Sequence, residues 1–435
     1  MTPTRPPIRI AVLGAGTVGA EVAAHLLAHR TEFEARIGAP IALAGVAVRD
    51  LDAPRTPPLP RELLTDDAET LVLGANIVIE LIGGTDRARE LVLLALDSGA
   101  DVVTGNKALL ATHGPELFAA AERVGAQLNY EAAVGGAIPI IRPLRDSLAG
   151  DHVRRILGIV NGTTNYVLDR MDEEGLGFDE ALAEATRLGY AEADPSGDVS
   201  GADAAQKAAI LAGLAFHTTV PLDRVPAEGI TGVTADQVRA ARAAGQVVKL
   251  LAICERISAP DGTEGVSARV HPALLPRTHP LAAVRGANNA VFVQAEAAGD
   301  LMFYGAGAGG AQTASAVLGD LVSAARRHVI GGPGLIGPAG SDLPVLDPGV
   351  VETRYQVTLA VRDEPGVLAR LAGIVSEHGV SIETALQSRA GEDGTASLVV
   401  GTHRAREAAL AATVAALRDA PEVAAVLGVL RVEGE

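Results

Sequence analysis

The densest run of chemically capable side chains is Gly189-Tyr190-Ala191-Glu192-Ala193-Asp194-Pro195-Ser196-Gly197-Asp198-Val199-Ser200-Gly201-Ala202-Asp203-Ala204-Ala205-Gln206-Lys207. Its four acidic residues lie on a loop shaped by Gly and Pro that feeds a helix. Asp203 and Lys207 are four apart, so they share one face of that helix. As an exposed ion pair they would contribute only about 0.3–0.5 kcal/mol. From Asp203 to Phe216, however, the only strongly polar side chains are Asp203, Gln206 and Lys207. A helix that apolar is mostly buried, so its lysine and carboxylate should face a cleft. Charges kept in such a place point to function.

A second constellation is Gly14-Ala15-Gly16-Thr17-Val18-Gly19, which follows the apolar run 8–13 and opens a helical pattern. The first glycine permits a tight turn, the second lets backbone approach a pyrophosphate, and the third lets helix pack on strand. Placed between a strand and a helix at the start of a βαβ series, this motif predicts a dinucleotide site, not a ligand-free turn. The end of the second strand reads Val46-Ala47-Val48-Arg49-Asp50. An acidic residue there binds the ribose hydroxyl of NAD, whereas Arg49 can accept the 2′-phosphate of NADP. Arg49 comes first, which favours NADP and leaves NAD open; a solvated Arg-Asp pair is the plain alternative. Two further phrases, Glu80-Leu81-Ile82-Gly83-Gly84-Thr85 and Thr104-Gly105-Asn106-Lys107-Ala108, close predicted parallel strands where ligand crevices form. Lys107 is therefore expected beside cofactor and substrate.

The elements that must position these groups are legible from periodicity. Runs 8–13, 41–48, 77–81, 101–104 and 126–130 read as strands, and 17–28, 87–98 and 115–125 as helices, which gives a doubly wound parallel sheet. From about Ala137 helices near 165–174, 178–188 and 203–216 mix with strands at 154–160, 246–256, 291–296 and 301–304, an α+β arrangement. The Gly- and Pro-rich stretch 331–350 reads as a linker. After it, strands 355–361, 381–387, 396–401 and 423–432 with helices 366–378 and 406–417 give βαββαβ, a ferredoxin-like unit. With 435 residues there is room for two or three cores. The expected division is 1–136 for the dinucleotide domain, with 305–328 as a candidate completion, then 137–330 for substrate and 351–435 for the last unit.

Composition removes several function classes. With 36 Lys+Arg against 53 Asp+Glu the formal charge is -17, which repels phosphate backbones and anionic lipid. Nucleic acid and membrane are not expected partners. No stretch reaches the roughly 20 apolar residues of a membrane span, and the first seven residues lack a signal-peptide core, so a cytoplasmic location is expected. The single cysteine, Cys254, lies in an apolar run and reads as a core thiol.

In sequence order, the Gly14–Gly19 loop, Glu80-Leu81-Ile82-Gly83-Gly84 and Asn106-Lys107-Ala108 resemble the homoserine dehydrogenases. So do Glu131-Ala132-Ala133-Val134-Gly135-Gly136-Ala137-Ile138-Pro139, Asn161-Gly162-Thr163-Thr164-Asn165-Tyr166 and the run from Gly189 to Lys207. Tyr304-Gly305-Ala306-Gly307-Ala308-Gly309 with Thr313 to Val317 and Asp320 extends the similarity, which spans about 8–330. The tail Asp363-Glu364-Pro365-Gly366-Val367-Leu368 resembles an ACT domain, a module that binds amino acids as effectors. With no aspartate kinase ahead of the first strand, the monofunctional form is expected. The resemblance implies interconversion of L-homoserine and L-aspartate 4-semialdehyde with NADP or NAD, in threonine, methionine and isoleucine biosynthesis. It implies Lys207 as acid/base, Asp203 orienting it and contacting substrate, and Glu192 holding the substrate ammonium. Asp198 would support the cluster, Lys107 would approach hydroxyl or cofactor, and Thr163 and Tyr190 would line the pocket. Gly189, Gly305 and Gly307 would approach the cofactor by backbone. A monovalent cation, Na+, would be held mostly by backbone carbonyls around Glu131, Val134, Gly136 and Ile138. L-threonine would act on the ACT domain, and a homodimer or homotetramer would form through the middle-domain sheet. Two rival readings stand beside this one. An aspartate-semialdehyde-type dehydrogenase needs a thiolate nucleophile, for which only Cys254 is present. A non-catalytic Rossmann and ACT sensor would have no use for Asp203 and Lys207 in an apolar helix.

Overall fold

In the computed structural model, which describes residues 6–331, 337, 340–388 and 395–434, the early β-branched runs form one parallel sheet. Its strands are β1 (Ile8–Leu13), β2 (Ile41–Ala47), β3 (Leu64–Thr65), β4 (Ile77–Glu80), β5 (Asp101–Thr104) and β6 (Leu128–Asn129). They lie in the order β3-β2-β1-β4-β5-β6, all pairs parallel. The order reverses between β1 and β4, which is where such sheets open a crevice at their carboxyl ends. β4 and β5 are buried at every residue, as strands covered on both faces must be. On one face Ile10, Val12, Ile77, Ile79 and Val103 pack with Val22 and Leu26 of helix Thr17–Ala28 and with Val317 and Leu321 of helix Gly310–Ile330. Each such side chain contributes roughly 1.5–3 kcal/mol of burial. Helix Gly310–Ile330 was not read from periodicity, because its small residues Gly, Ala and Ser give a shallow apolar stripe.

The chain forms two compact units, one of Met1–Arg154, Gln206–Asp223 and Asn289–Asp342, the other of Arg155–Ala205, Arg224–Asn288 and Leu343–Glu435. In the second, strands Gln246–Ser258 and Glu264–Pro276 pair antiparallel over thirteen residues each. Strand Glu264–Pro276 was absent from the sequence reading. Arg269, His271 and Pro272 interrupt its apolar pattern, yet it is buried from Gly265 to Leu275.

The C-terminal βαββαβ order holds, from Glu352–Arg362 through Val367–Glu377, Ile382–Gln387, Thr395–Thr402 and Glu407–Asp419 to Val423–Val432. Tyr355, Val357, Leu359 and Val361 alternate inward against Leu371, Val375, Leu398, Val400, Leu410 and Leu417. Its last strand also pairs outward, Arg431 with Ala273 and Val432 with Leu274, parallel to Glu264–Pro276. Beyond it the buried Glu433 carboxylate bonds to Arg155 and lies 3.5 Å from Arg269. Of the segment read as a linker, 332–336, 338 and 339 lie outside the described residues. Part of the rest is pinned: Val266 N–H donates to Pro344 O and Leu346 N–H to Val266 O, both at 2.9 Å.

Candidate active site

The loop from Gly14 to Gly19 is built as a turn stripped of side chains. Gly14 has φ +96°, and a Cβ there would lie 2.6 Å from Leu81 O; a Cβ on Gly19 would lie 2.0 Å from Gly14 O. Both positions admit only glycine. A Cβ on Gly16 would meet nothing within 4 Å, so the tip of the loop faces open space. Helix Thr17–Ala28 starts there with no side-chain cap. Its first N–H groups thus stay available to an anion. Ala15, Thr17 and Val18 are carried by the same turn. A dinucleotide's pyrophosphate fits this cradle by charge and by space.

Glu80 ties the neighbouring loops together. It is fully buried at the end of β4, and burial holds its carboxyl above the usual carboxylate range despite the donors around it. Thr104 Oγ1 donates to Glu80 Oε2 at 2.6 Å and Ile82 N–H to Oε1 at 2.9 Å. Asn106 donates to Gly84 O at 2.7 Å and accepts from Leu109 N–H at 3.1 Å, capping helix Lys107–Val124. Lys107 therefore stands half-buried on the first turn of a helix fixed from β4 and β5. Sequence reasoning quoted Glu80 and Asn106 but gave them no role. Arg49 lies exposed past β2, while the neighbouring Asp50 carboxylate is turned onto its own loop, accepting Asp52 N–H at 2.9 Å and Ala53 N–H at 3.2 Å.

The acidic run divides into residues that are held and residues that are not. Asn161 Nδ2 donates to Asp198 Oδ1 at 2.7 Å and to Asp203 Oδ2 at 3.0 Å, while its Oδ1 caps helix Gly162–Glu174 through Thr164 N–H at 2.9 Å. Thr163 Oγ1 lies 2.6 Å from Tyr190 O and 2.9 Å from Asp198 Oδ2, so its one proton serves either acceptor in turn. The structure thus brings Asp198, Asp203, Thr163 and the Tyr190 backbone together around Asn161, a residue that composition gave no reason to single out. Asp194 turns back on Ser196 N–H at 3.1 Å, whose hydrogen bonds hold its carboxyl below the ordinary range. Glu192 and Gly189 are exposed on the loop, and the Tyr190 ring packs against Tyr166 with centroids 4.9 Å apart. Helix Ala202–Phe216 presents Asp203 and, one turn later, Lys207, both half-buried among buried alanines.

The stretch Glu131 to Ile138 is a tight turn. Gly135 and Gly136 have φ +80° and +60°, and Ala137 N–H donates to Ala306 O at 3.1 Å. A Cβ on Gly136 would lie 2.4 Å from Gly307 O, one on Gly305 3.4 Å from Ile138 Cγ1, and one on Gly307 2.2 Å from the Asn289 amide. Contact with backbone therefore already requires glycine at 136, whereas a side chain at 307 would displace the Asn289 amide. The Glu131 side chain is occupied: it accepts from Ile140 and Ile141 N–H at 2.5 and 2.7 Å and from Arg142 N–H and Nε at 2.9 and 2.8 Å. Its side-chain oxygens are thus committed to these donors. Among the described residues no cluster of three His, Cys, Asp or Glu could hold a metal.

A glycine-turn dinucleotide cradle on a doubly wound sheet, with a carboxylate and an amine one turn apart on helix Ala202–Phe216, defines a nicotinamide-dependent oxidoreductase acting on a CH–OH group. Family models narrow this: "Homoserine dehydrogenase, NAD binding domain" matches 14–131, "Homoserine dehydrogenase" 139–322 and "ACT domain" 355–422. The chain is 52% identical over 428 residues to a homoserine dehydrogenase of Corynebacterium glutamicum, covering 98% of this chain and 96% of that one. It is 52% identical over 434 residues to one of Mycobacterium tuberculosis, covering 98% of each. The crystal structure of a homoserine dehydrogenase from Thiobacillus denitrificans superposes with a TM-score of 0.92 at 39% identity, covering 98% of both chains. A hyperthermophilic archaeal homoserine dehydrogenase in complex with NADPH matches with a TM-score of 0.62 at 27% identity, over 75% of this chain and 99% of that one. The chain belongs to the homoserine dehydrogenase family, and its reaction is the interconversion of L-homoserine and L-aspartate 4-semialdehyde with a nicotinamide cofactor. The aspartate-semialdehyde-type rival, which needs a thiolate nucleophile, also fails on geometry, since Cys254 is fully buried within its strand.

Proposed function

We propose that Lys207 is the acid/base of this reaction and that Asn161 positions the carboxylates that serve it. The observation that carries this reading is the double donation of Asn161 Nδ2 to Asp198 and to Asp203, the latter one turn before Lys207 on helix Ala202–Phe216. Bound nicotinamide would supply the hydride acceptor or donor. Lys207 takes the hydroxyl proton as homoserine is oxidised and returns it in reduction. Asp203 orients the amine and contacts substrate, Glu192 takes the substrate ammonium, and Asp198 holds Thr163 and the Tyr190 segment in the pocket wall. Lys107 approaches the hydroxyl or cofactor; Gly14 to Gly19 take the pyrophosphate, and Gly189, Gly305 and Gly307 approach by backbone.

NADP is the preferred cofactor in this reading. Arg49 is exposed for a 2′-phosphate while the Asp50 carboxylate is engaged by its own loop, and NADPH is the cofactor bound by the archaeal relative. Na+ is held by carbonyls around Glu131, Val134, Gly136 and Ile138, a site supported by the left-handed Gly135-Gly136 turn and by the buried Asn289 amide, both of whose polar atoms lack a partner. Residues 1–136, 137–330 and 351–435 serve cofactor, substrate and regulation in turn. L-threonine acts as an effector at the Asp363–Gly366 turn, where helix Val367–Glu377 begins without a side-chain cap. The protein works as a homodimer or homotetramer in the cytoplasm. Met302 and Tyr304, 37% and 56% exposed on strand Gly299–Ala306, support a partner against that strand, and among the described residues no helix is long and apolar enough to cross a membrane. Absorbance at 340 nm with L-homoserine and each of NAD and NADP tests the reading. Turnover faster with NADP supports it, and no turnover with either refutes it.

A further inference from the structure

One face of helix Gly162–Glu174, whose start holds Asp198 and Asp203 through Asn161, is polar and yet buried. Asn165, Asp169 and Asp172 follow Asn161 at spacings of four, four and three, so they share that face, and none of them reaches solvent. Asn165 Nδ2 lies within reach of three carbonyls of one loop, Val284 O at 3.3 Å, Gly286 O at 2.9 Å and Asn288 O at 3.1 Å. Its Oδ1 accepts from Lys249 Nζ at 2.9 Å, and the same ammonium donates to Val284 O at 2.6 Å. The cation thereby fixes which way the carboxamide points. Flipped, it would set its NH2 against an ammonium and its oxygen against three carbonyls. Asp169 binds the same loop by accepting Gly286 N–H at 2.8 Å. Gly162 abuts it too, since a Cβ there would lie 2.7 Å from Ala287 O.

We propose that Lys249 is a positioning residue for the dehydrogenase reaction: through Asn165 it sets the register of helix Gly162–Glu174 on the Val284–Asn288 loop, and so the place of the carboxylates held at the helix start. A shift of the helix by one residue, about 1.5 Å and about 100° of rotation, would carry Asn165 away from both the ammonium and the loop. Charge balance does not account for Lys249. Arg285 meets Asp169 at 2.9 Å and Asp172 at 3.2 Å, and Arg277 meets Asp172 at 2.5 Å. Both hydrogen bonds of the fully buried ammonium go instead to neutral oxygens. Burial lowers its pKa to about 8, with Asp169 and Asp172 pulling upward and Arg285 and Arg277 pushing down. A charge buried in this way costs stability, and what it contributes in return is a single arrangement of the groups around it. Asn165 stands one turn from Asn161, so that arrangement passes directly to the cap that donates to Asp198 and Asp203. The inference rests on the reading that these carboxylates serve Lys207.

Steady-state kinetics of the full chain with L-homoserine at saturating cofactor, beside urea melts at pH 7, test it in Lys249→Met, Asn165→Ala, the double variant and Lys207→Met. Methionine keeps most of the lysine stem and carries no charge, so the Lys249→Met midpoint should lie above that of the wild type or within about 1 M below it. Its kcat/KM should nonetheless fall about ten- to a hundredfold, the scale of a site displaced by a change far from the chemistry, while cofactor affinity stays near wild type. Because Lys249 acts through Asn165, the double variant should be no slower than Asn165→Ala alone. Wild-type kcat/KM in Lys249→Met, or additive losses in the double variant, overturns the proposal. So does a midpoint lowered by more than about 1 M, which assigns Lys249 to the fold alone. Lys249→Met decides by itself where Asn165→Ala does not fold. Wild-type turnover in Lys207→Met would overturn the reading beneath the inference, whereas a slowed Lys207→Met beside a normal Lys249→Met overturns the inference alone.

Discussion

The Asn161 carboxamide donates to the Asp203 carboxylate at 3.0 Å, joining the start of one helix to the first turn of another 42 residues on. Asn161→Ser keeps a capping oxygen for Thr164 N–H and loses the bridge. Stability should fall by less than about 1 kcal/mol. The KM for homoserine should rise and kcat fall, each about tenfold, the scale of a lost charge-assisted hydrogen bond. Steady-state kinetics beside a urea melt check this. Normal kinetics would reduce Asn161 to a cap.

What the sequence disclosed was what short-range chemistry determines. The Gly14–Gly19 turn, the alternation of Glu352–Arg362 and the apolar helix around Lys207 each follow from local spacing. Asn161, Glu80 and Asn106 could not be given roles from sequence because, beyond local contacts, the partners that define those roles lie 22 to 42 residues away and meet only in the fold. Strand Glu264–Pro276 escaped because Arg269 and His271, polar in sequence, are buried in place, Arg269 beside Glu255.

Arg49→Ala should weaken NADP binding by about 1.5–3 kcal/mol and leave NAD nearly unchanged. Fluorescence titration with both reduced cofactors measures it. Equal losses, or none, would show that Arg49 is only a solvated surface residue.

Lys249 is fully buried, with Nζ donating to Asn165 Oδ1 at 2.9 Å and to Val284 O at 2.6 Å. Burial pushes its ammonium down to about 8, against 10.5 when free. Below pH 8 both folded and unfolded chains carry the charge, and its burial cost is fully felt. Between about 8 and 10.5 the unfolded chain binds the extra proton, so stability rises with pH on this group's account. The stability of the wild type relative to Lys249→Met, from urea melts at pH 7 to 10.5, should therefore increase across that window. A gap independent of pH would mean that Lys249 titrates normally.

Glu433 fixes the C-terminal strand to Arg155, with both side chains largely buried. Glu433→Gln leaves Arg155 and Arg269 short of a counter-charge. Breaking a buried pair by removing one partner should cost about 3–5 kcal/mol. Truncation near Pro348 should be costlier still, since it also bares the edge of strand Glu264–Pro276. Urea melts decide the point; a loss below about 1 kcal/mol in Glu433→Gln would place the pair among weak surface contacts.

Lys207 bears the central chemical claim. Lys207→Met removes the amine and keeps much of the apolar stem, so cofactor affinity and melting temperature should stay near wild type. Turnover of homoserine, followed at 340 nm under saturating cofactor, should fall by about a hundred- to ten-thousand-fold, the range for loss of a general acid/base. A folded Lys207→Met enzyme that turns over homoserine within about threefold of wild type would contradict the account and return Lys207 and Asp203 to a structural ion pair.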